Sequence, residues 1–342
     1  MTPRTARRRL ALALVGLLAL AGASAPALAA ISTFYRTQSL GDRGTDVATI
    51  QQLIREYQTT DPPPSGGRTV TVRAVNPLVV PIDGIFGAKT TDGIRAIQAS
   101  HRLAETGVVD AATWEALAIS IGPGATGDAV FAVQRLLREK VAAAVPTDGV
   151  YGAATTAAVK AFQAHIGLTQ TGSVNAATWR ALVWHFELPR FSPSGLCDYS
   201  SGNGPANWGT AEMISTLEAA GAAMVAVGFG RVAVGDVSLE HGGDIPGHLR
   251  HEVGLEADLR PMRKANDQCS HPSQWNLTTY DRAATRSLVQ AIRAATPGHV
   301  KVILFNDPVL ISEGLTTYQS AHDDHLHVML CEASFSDPRY RC

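Results

Sequence analysis

At 342 residues the chain is longer than the roughly 100–200 residues of a single domain, so two or three domains are expected. Of its 29 basic residues, four arginines fall in the first thirty positions, which hold no acid; the remaining 25 face 30 acidic residues. No basic stripe survives, and nucleic-acid binding through phosphate contacts is excluded as the chain's business.

Arg4, Arg7, Arg8 and Arg9 precede an apolar run from Leu10 to Leu20, and Ala27-Leu28-Ala29 supplies a small-x-small cleavage site. This is the pattern of a secretory signal peptide over residues 1–29. The apolar run is shorter than the ~20 residues that cross a bilayer, so the mature chain is expected to be secreted without a membrane span. The paired arginines leave export in the folded state open.

An internal duplication comes next. Pro81-Ile82-Asp83-Gly84-Ile85-Phe86-Gly87-Ala88-Lys89-Thr90-Thr91 returns 65 positions on as Pro146-Thr147-Asp148-Gly149-Val150-Tyr151-Gly152-Ala153-Ala154-Thr155-Thr156, and 20 of 37 aligned positions between 81–117 and 146–182 are identical. Each copy, expected over 38–119 and 120–184, reads as three short helices. Val47, Ile50, Leu53 and Ile54 in the first copy, and Val130, Val133, Leu136 and Leu137 in the second, form one buried helical stripe. Ile94 and Ile97, or Val159 and Phe162, face the core from the second helix. The third begins at Asp110 or Asn175 as N-cap and buries Trp114 or Trp179. Copy one also carries an insertion containing Pro62-Pro63-Pro64-Ser65-Gly66-Gly67 and a stretch from Val70 to Val80, read as a surface loop with an extended segment.

A Pro/Ser/Gly-rich linker is expected over 185–204 and a last domain over 205–342. There, residues 210–223 and 285–295 read as helices, and 232–237, 300–305 and 325–330 as strands, which suggests an α+β fold with a small antiparallel sheet. The fold class is therefore multidomain, two all-α three-helix bundles followed by an α+β domain. All four cysteines lie in this last third; in an exported chain they read as two disulfides. Cys331 with Cys342 would tie down the tail, leaving Cys197 with Cys269. No C-x-x-C pair occurs, which weighs against cysteine ligation of zinc.

Eight of the eleven histidines lie between His241 and His327. In a terminal strand His325 and His327 would share one face while Leu326, Val328 and Leu330 point into the core. Upstream, a His and an Asp stand seven residues apart around a glycine, in His251-Glu252-Val253-Gly254-Leu255-Glu256-Ala257-Asp258. Two imidazoles and a carboxylate are the three-ligand set of a catalytic zinc, with a fourth position open to water. Neither an H-E-x-x-H helix nor a G-x-S-x-G elbow is present, so a glutamate base of the thermolysin kind and a serine nucleophile are poor rivals.

The segment 234–243, His248-x-x-His251-x-x-Gly254-Leu255-x-x-Asp258 and His322-x-x-His325-x-His327 together resemble the signature of the penicillin-insensitive murein endopeptidases, within the lysostaphin and D-Ala-D-Ala metallopeptidase group, over roughly residues 205–331. The resemblance implies one zinc held by His251, Asp258 and His327, with His325 and His322 lining the catalytic side; from its place on the strand face beside His327, His325 is read as moving a proton, and His322 as stabilising an oxyanion. The resemblance also makes His248 a further metal or active-site position, while Asp267 and His271 leave a second metal open. Two departures are Arg250, where the family has serine, and Glu256, where it has aspartate. The Asp-Gly-x-x-Gly, Thr-Thr, Phe162-Gln163 and Thr-Trp-x-Ala-Leu features resemble the peptidoglycan-binding module found beside wall hydrolases. The two resemblances together imply a secreted, wall-associated monomer whose partner is peptidoglycan and whose α+β domain is a zinc metallopeptidase cleaving peptide crosslinks. A zinc D,D-carboxypeptidase and a non-catalytic wall-binding protein are the alternatives.

Overall fold

The computed structural model describes residues 36–59, 79–192, 194–200, 206–248, 250–332, 335 and 337–342. The leader and all but the last two residues of the copy-one insertion lie outside the described residues.

The duplication appears as two sets of three helices, α1 Thr45–Thr59, α2 Ala88–Ser100 and α3 Ala111–Leu117, then α4 Asp128–Val141, α5 Ala153–His165 and α6 Ala176–Trp184. Their repeated residues are spent on the fold. In copy two Gln134 Nε2 reaches Asp148 Oδ1 at 2.9 Å and Val150 O at 3.0 Å, while its Oε1 accepts from Gly149 N at 2.9 Å. Gln51 does the same with Asp83, Ile85 and Gly84 in copy one. Gln98 and Gln163 repeat the device at the second glycine turn, accepting from Gly107 N and Gly172 N. These turns place Gly84, Gly107, Gly149 and Gly172 at φ between 68° and 74°, a region a side chain would strain. Asp110 and Asn175 accept from the N–H of Thr113 and Thr178, the expected caps. Trp114 and Trp179 are buried, and their indole N–H groups donate to the carbonyls of Arg36 and Ile119. Buried side chains of both copies, from Val47 to Val183, join in one hydrophobic cluster, with α1 packed on α4. The pair is one body with a shared core.

The C-terminal domain holds β1 Leu196–Asp198, α7 Ala211–Ala226, β2 Val232–Val234, β3 Glu256–Leu259, α8 Arg282–Ala295, β4 Val300–Leu304, α9 Pro308–Ser312 and β5 Leu326–Leu330. The sheet order is β1-β2-β3-β5-β4. All pairings are antiparallel except β1 with β2, which run parallel because α7 crosses between them. Two strands lie where the sequence suggested none. β1 falls inside the stretch read as linker, and β3 inside the histidine loop; with only three and four residues they are too short for periodicity to reveal. The core gathers Met213, Leu217 and Met224 of α7 and Leu288, Val289 and Ile292 of α8 under the sheet. The disulfides are Cys197–Cys269, from β1 to the loop after β3, and Cys331–Cys342, from the end of β5 to the tail.

The described residues from Arg36 to Cys342 form one compact unit, and the junction between the repeats and the sheet domain is closely fitted. At Gly44 (φ +108°) a Cβ would stand 2.6 Å from the carbonyl oxygen of Ala211, so only glycine lets α1 approach the start of α7. Polar groups fill the seam. His299 Nδ1 lies 3.0 Å from Glu212 Oε1 and 3.5 Å from Asp42 Oδ1, and Arg36 Nη1 lies 3.4 Å from Glu332 Oε1.

Candidate metal centre

Leu255, Ala257 and Leu259, together with Leu326, Val328 and Leu330, are buried in the sheet core. By strand alternation Glu256, Asp258 and His327 share the opposite face, and the register sets Asp258 directly across from His327. His325 precedes β5 by one residue and leans to the same side, its Nε2 3.9 Å from Asp258 Oδ1.

His251 comes from the loop before β3 with φ at +75°, a left-handed conformation that costs a non-glycine residue about 1–3 kcal/mol. Two contacts hold it there. Its N–H donates to the Glu256 carboxylate, and its ring Nδ1–H donates to Val237 O at 3.1 Å. Glu256 is fully buried and also accepts from the Tyr340 hydroxyl at 3.2 Å, so the disulfide-tied tail supports the same carboxylate. Gly254 completes the turn, because a Cβ there would sit 2.7 Å from the Phe186 ring.

With Nδ1–H committed to a carbonyl, a neutral His251 presents the lone pair of Nε2 to Asp258 Oδ2 at 3.3 Å. Two acceptors at that distance repel unless a proton or a metal cation lies between them. His327 shows the same tension. Its Nδ1 meets Asp258 Oδ1 at 2.9 Å, while its buried Nε2 has no hydrogen-bond partner among the described residues and stands 3.8 Å from Glu256 Oε1. Burial opposes charge on His327, yet its hydrogen bond to Asp258 and the negative charge of the nearby Glu256 carboxylate outweigh it and push its pKa up to about 9. Burial likewise opposes charge on Asp258, yet His251 and His327 hold its carboxyl far below the ordinary range. The pocket is built to stabilise positive charge.

The histidines and the aspartate expected at the metal gather in this pocket. The rings of His251 and His327 lie 4.9 Å apart, those of His248 and His251 5.3 Å, and those of His322 and His325 4.8 Å. The donors fall into two overlapping groups, His248–His251–Asp258 and His251–Glu256–His327, each with its ligand atoms within 4.8 Å of one another. His251, Asp258 and His327 touch in pairs through Asp258, with His251 common to both groups. Asp267 pairs instead with Arg263 and with His271.

Two residues of the pocket do not stand out in the sequence. Glu256 is the i−2 neighbour of Asp258, a relation that becomes visible only once β3 is recognised. Asp236 lies within the segment quoted for the resemblance and holds His248 Nε2 at 3.1 Å.

The His322–His325 loop is fixed by Asp323, which accepts from Trp275 Nε1 at 3.0 Å and Asn306 Nδ2 at 2.9 Å. His325 Nδ1 lies 2.9 Å from Asp324 Oδ1, which leaves Nε2 facing the pocket. His322 Nδ1–H donates to Ser320 O at 2.9 Å, and burial lowers the pKa of its ring. A cleft of about 300 Å³ lined by Tyr199, Asp236, His248, Asp258, Arg260 and His325 gives access. A larger one of about 390 Å³ lies where α1 and α4 meet the start of α7, and none of these histidines lines it.

Buried imidazoles and carboxylates on a sheet face, reached from solvent through a cleft, define a candidate metal centre. Residues 203–304 match the family model for penicillin-insensitive murein endopeptidase, and residues 43–117 and 126–182 match that for the peptidoglycan binding domain, in the order expected. The peptidase match ends before β5, so the placement of His322, His325 and His327 rests on geometry. No curated protein matches the chain.

Proposed function

We propose that the chain is an exported zinc peptidase that cleaves the peptide crosslinks of peptidoglycan, with the ion held by His251, Asp258 and His327. The observation that carries this reading is the pair of facing acceptors, His251 Nε2 and Asp258 Oδ2 at 3.3 Å, beside the unpartnered Nε2 of His327. Neutral imidazoles and a carboxylate suit zinc, and Val237 O fixes the tautomer of His251 as an outer partner should. When bound there, zinc supplies Lewis acidity, which acidifies water and polarises a peptide carbonyl near neutral pH.

The chain's own groups do the rest. Asp324 orients His325 so that Nε2 takes a proton from the attacking water and returns it to the leaving amine. His322, whose Nδ1–H is committed to Ser320 O, presents an acceptor at Nε2 when neutral, so the oxyanion role inferred from sequence calls for a proton on that nitrogen. Glu256 holds the strained His251 backbone and balances charge behind both imidazoles. The two disulfides and the leader sequence support export, and no helix among the described residues is long and apolar enough to cross a membrane.

Digestion of purified sacculi by the mature chain tests the reading. Crosslinked muropeptide dimers are expected to disappear into monomers by mass, with and only with zinc. Release of terminal D-Ala alone, dimers remaining intact, would move the enzyme to the carboxypeptidase class.

A further inference from the structure

Four groups that the sheet-face pocket does not use converge where the second repeat meets the C-terminal domain. His165 is the last residue of α5, His185 follows α6 directly, and Glu240 and His241 lie on the loop beyond β2. Glu240 Oε1 lies 2.8 Å from His165 Nε2 and 3.4 Å from His185 Nε2. Ligand atoms of the three fall within 4.8 Å of one another. Neighbouring donors around a tetrahedral zinc, at ~2.0–2.1 Å from it, stand about 3.3 Å apart.

His185 supplies the second observation. It is 1% exposed, and its Nε2, aimed at Glu240, has no hydrogen-bond partner among the described residues. Its other nitrogen is already engaged. Nδ1 meets His241 Nε2 at 2.8 Å, and His241 is stacked flat on Trp184 at 4.7 Å, which fixes the ring as an outer partner fixes a metal-bound imidazole. The nearby Lys140 ammonium is paired with Asp46 at 2.7 Å and donates to Val183 O at 2.8 Å. Entry is open, since the His165 side chain is 48% exposed and that of Glu240 31%.

We infer that His165, His185 and Glu240 form a second metal site, for a divalent ion of the zinc class, which pins the second repeat to the C-terminal domain. It shares no residue with the sheet-face pocket and stands whether or not that pocket hydrolyses peptides. A site joining segments 75 residues apart adds its binding energy to the stability of the junction.

Zinc titration of the chelator-stripped full chain, followed by metal analysis and thermal unfolding, tests it. The parent is expected to take up ~1 equivalent more than His165→Ala or Glu240→Gln, both changed at accessible positions, and to show a zinc-dependent rise in Tm that both variants lose. His251→Ala should retain that equivalent, and Glu240→Gln should turn over soluble muropeptides like the parent, so the two sites fail separately. Equal zinc uptake and equal Tm rise in parent and variants would overturn the site. So would a parent that binds only the zinc lost in His251→Ala.

Discussion

Four repeated glutamines of the helical bundles and the acidic and histidine groups of the sheet face are all buried polar side chains, and the fold treats these two sets in opposite ways. In the repeats Gln51, Gln98, Gln134 and Gln163 use both ends of the amide, each closing a glycine turn from inside. On the sheet face His251, Glu256, Asp258 and His327 crowd acceptor against acceptor, and one imidazole nitrogen is left without a hydrogen bond. Buried polar groups normally find partners, so a satisfied network marks structure, while facing acceptors with no proton between them, as at His251 and Asp258, favour a cation.

The comparison breaks first at Asp258. Asp258→Asn keeps the shape and removes the charge, and if Asp258 is a direct ligand, as proposed, its loss should exceed the ~10–100-fold cost of losing an outer partner in zinc affinity. Metal analysis and turnover on muropeptide dimers are expected to fall together; full zinc content with parental turnover would take Asp258 out of the ligand set. His325 and His327 sharpen the same point. His327→Ala should yield a zinc-poor protein, whereas His325→Ala should keep its metal and lose ~10²- to 10⁴-fold in kcat. The reverse pattern would exchange their roles.

Gln134→Ala addresses the other side. It strands Gly149 N and Val150 O in the interior, for about 1–3 kcal/mol of stability, and Tm should fall while turnover on small soluble fragments at low temperature stays parental. A loss of turnover with unchanged Tm would show that the repeated glutamines serve more than the fold.

The smallest effect is expected at the junction. Burial, with Glu212 nearby, pushes Asp42 up to about 7, and burial pushes Glu332 up to about 7 despite Arg36. Both groups hold protons more tightly folded than unfolded, where carboxyls titrate near ~4. Their contribution is therefore fully present below that value and lost as pH rises through about 7. His299, raised chiefly by its hydrogen bond to Glu212, has the same sign. Tm should decline from about pH 5 to about pH 8, and Asp42→Asn should flatten the decline. A Tm that climbs over this range would contradict the assignment.

Sequence alone revealed whatever repeats or alternates. The six helices of the duplication, their caps and buried tryptophans follow from periodicity. So does β5, where three apolar side chains alternate with His327 and Met329. β3 stayed hidden because the alternation of Glu256-Ala257-Asp258-Leu259 runs over only four residues, too few for periodicity to reveal a strand. Glu256 was lost with it. The seam of Asp42, Glu212, His299 and Glu332 was illegible for another reason: each reads as an ordinary charged surface residue until segments far apart in the chain are brought together.

The fitted junction at Gly44 and Ala211 has a mechanical meaning. A catalytic domain on a long flexible leash sweeps a volume, and its gain is one of local concentration. Here repeats and sheet domain belong to one compact unit, so the pocket keeps a fixed bearing to whatever surface the repeats grip. If the repeats hold the wall and the pocket cuts it, as proposed, the chain would work as a gauge, reaching bonds at one set distance and angle from its foothold and landing again to reach the next.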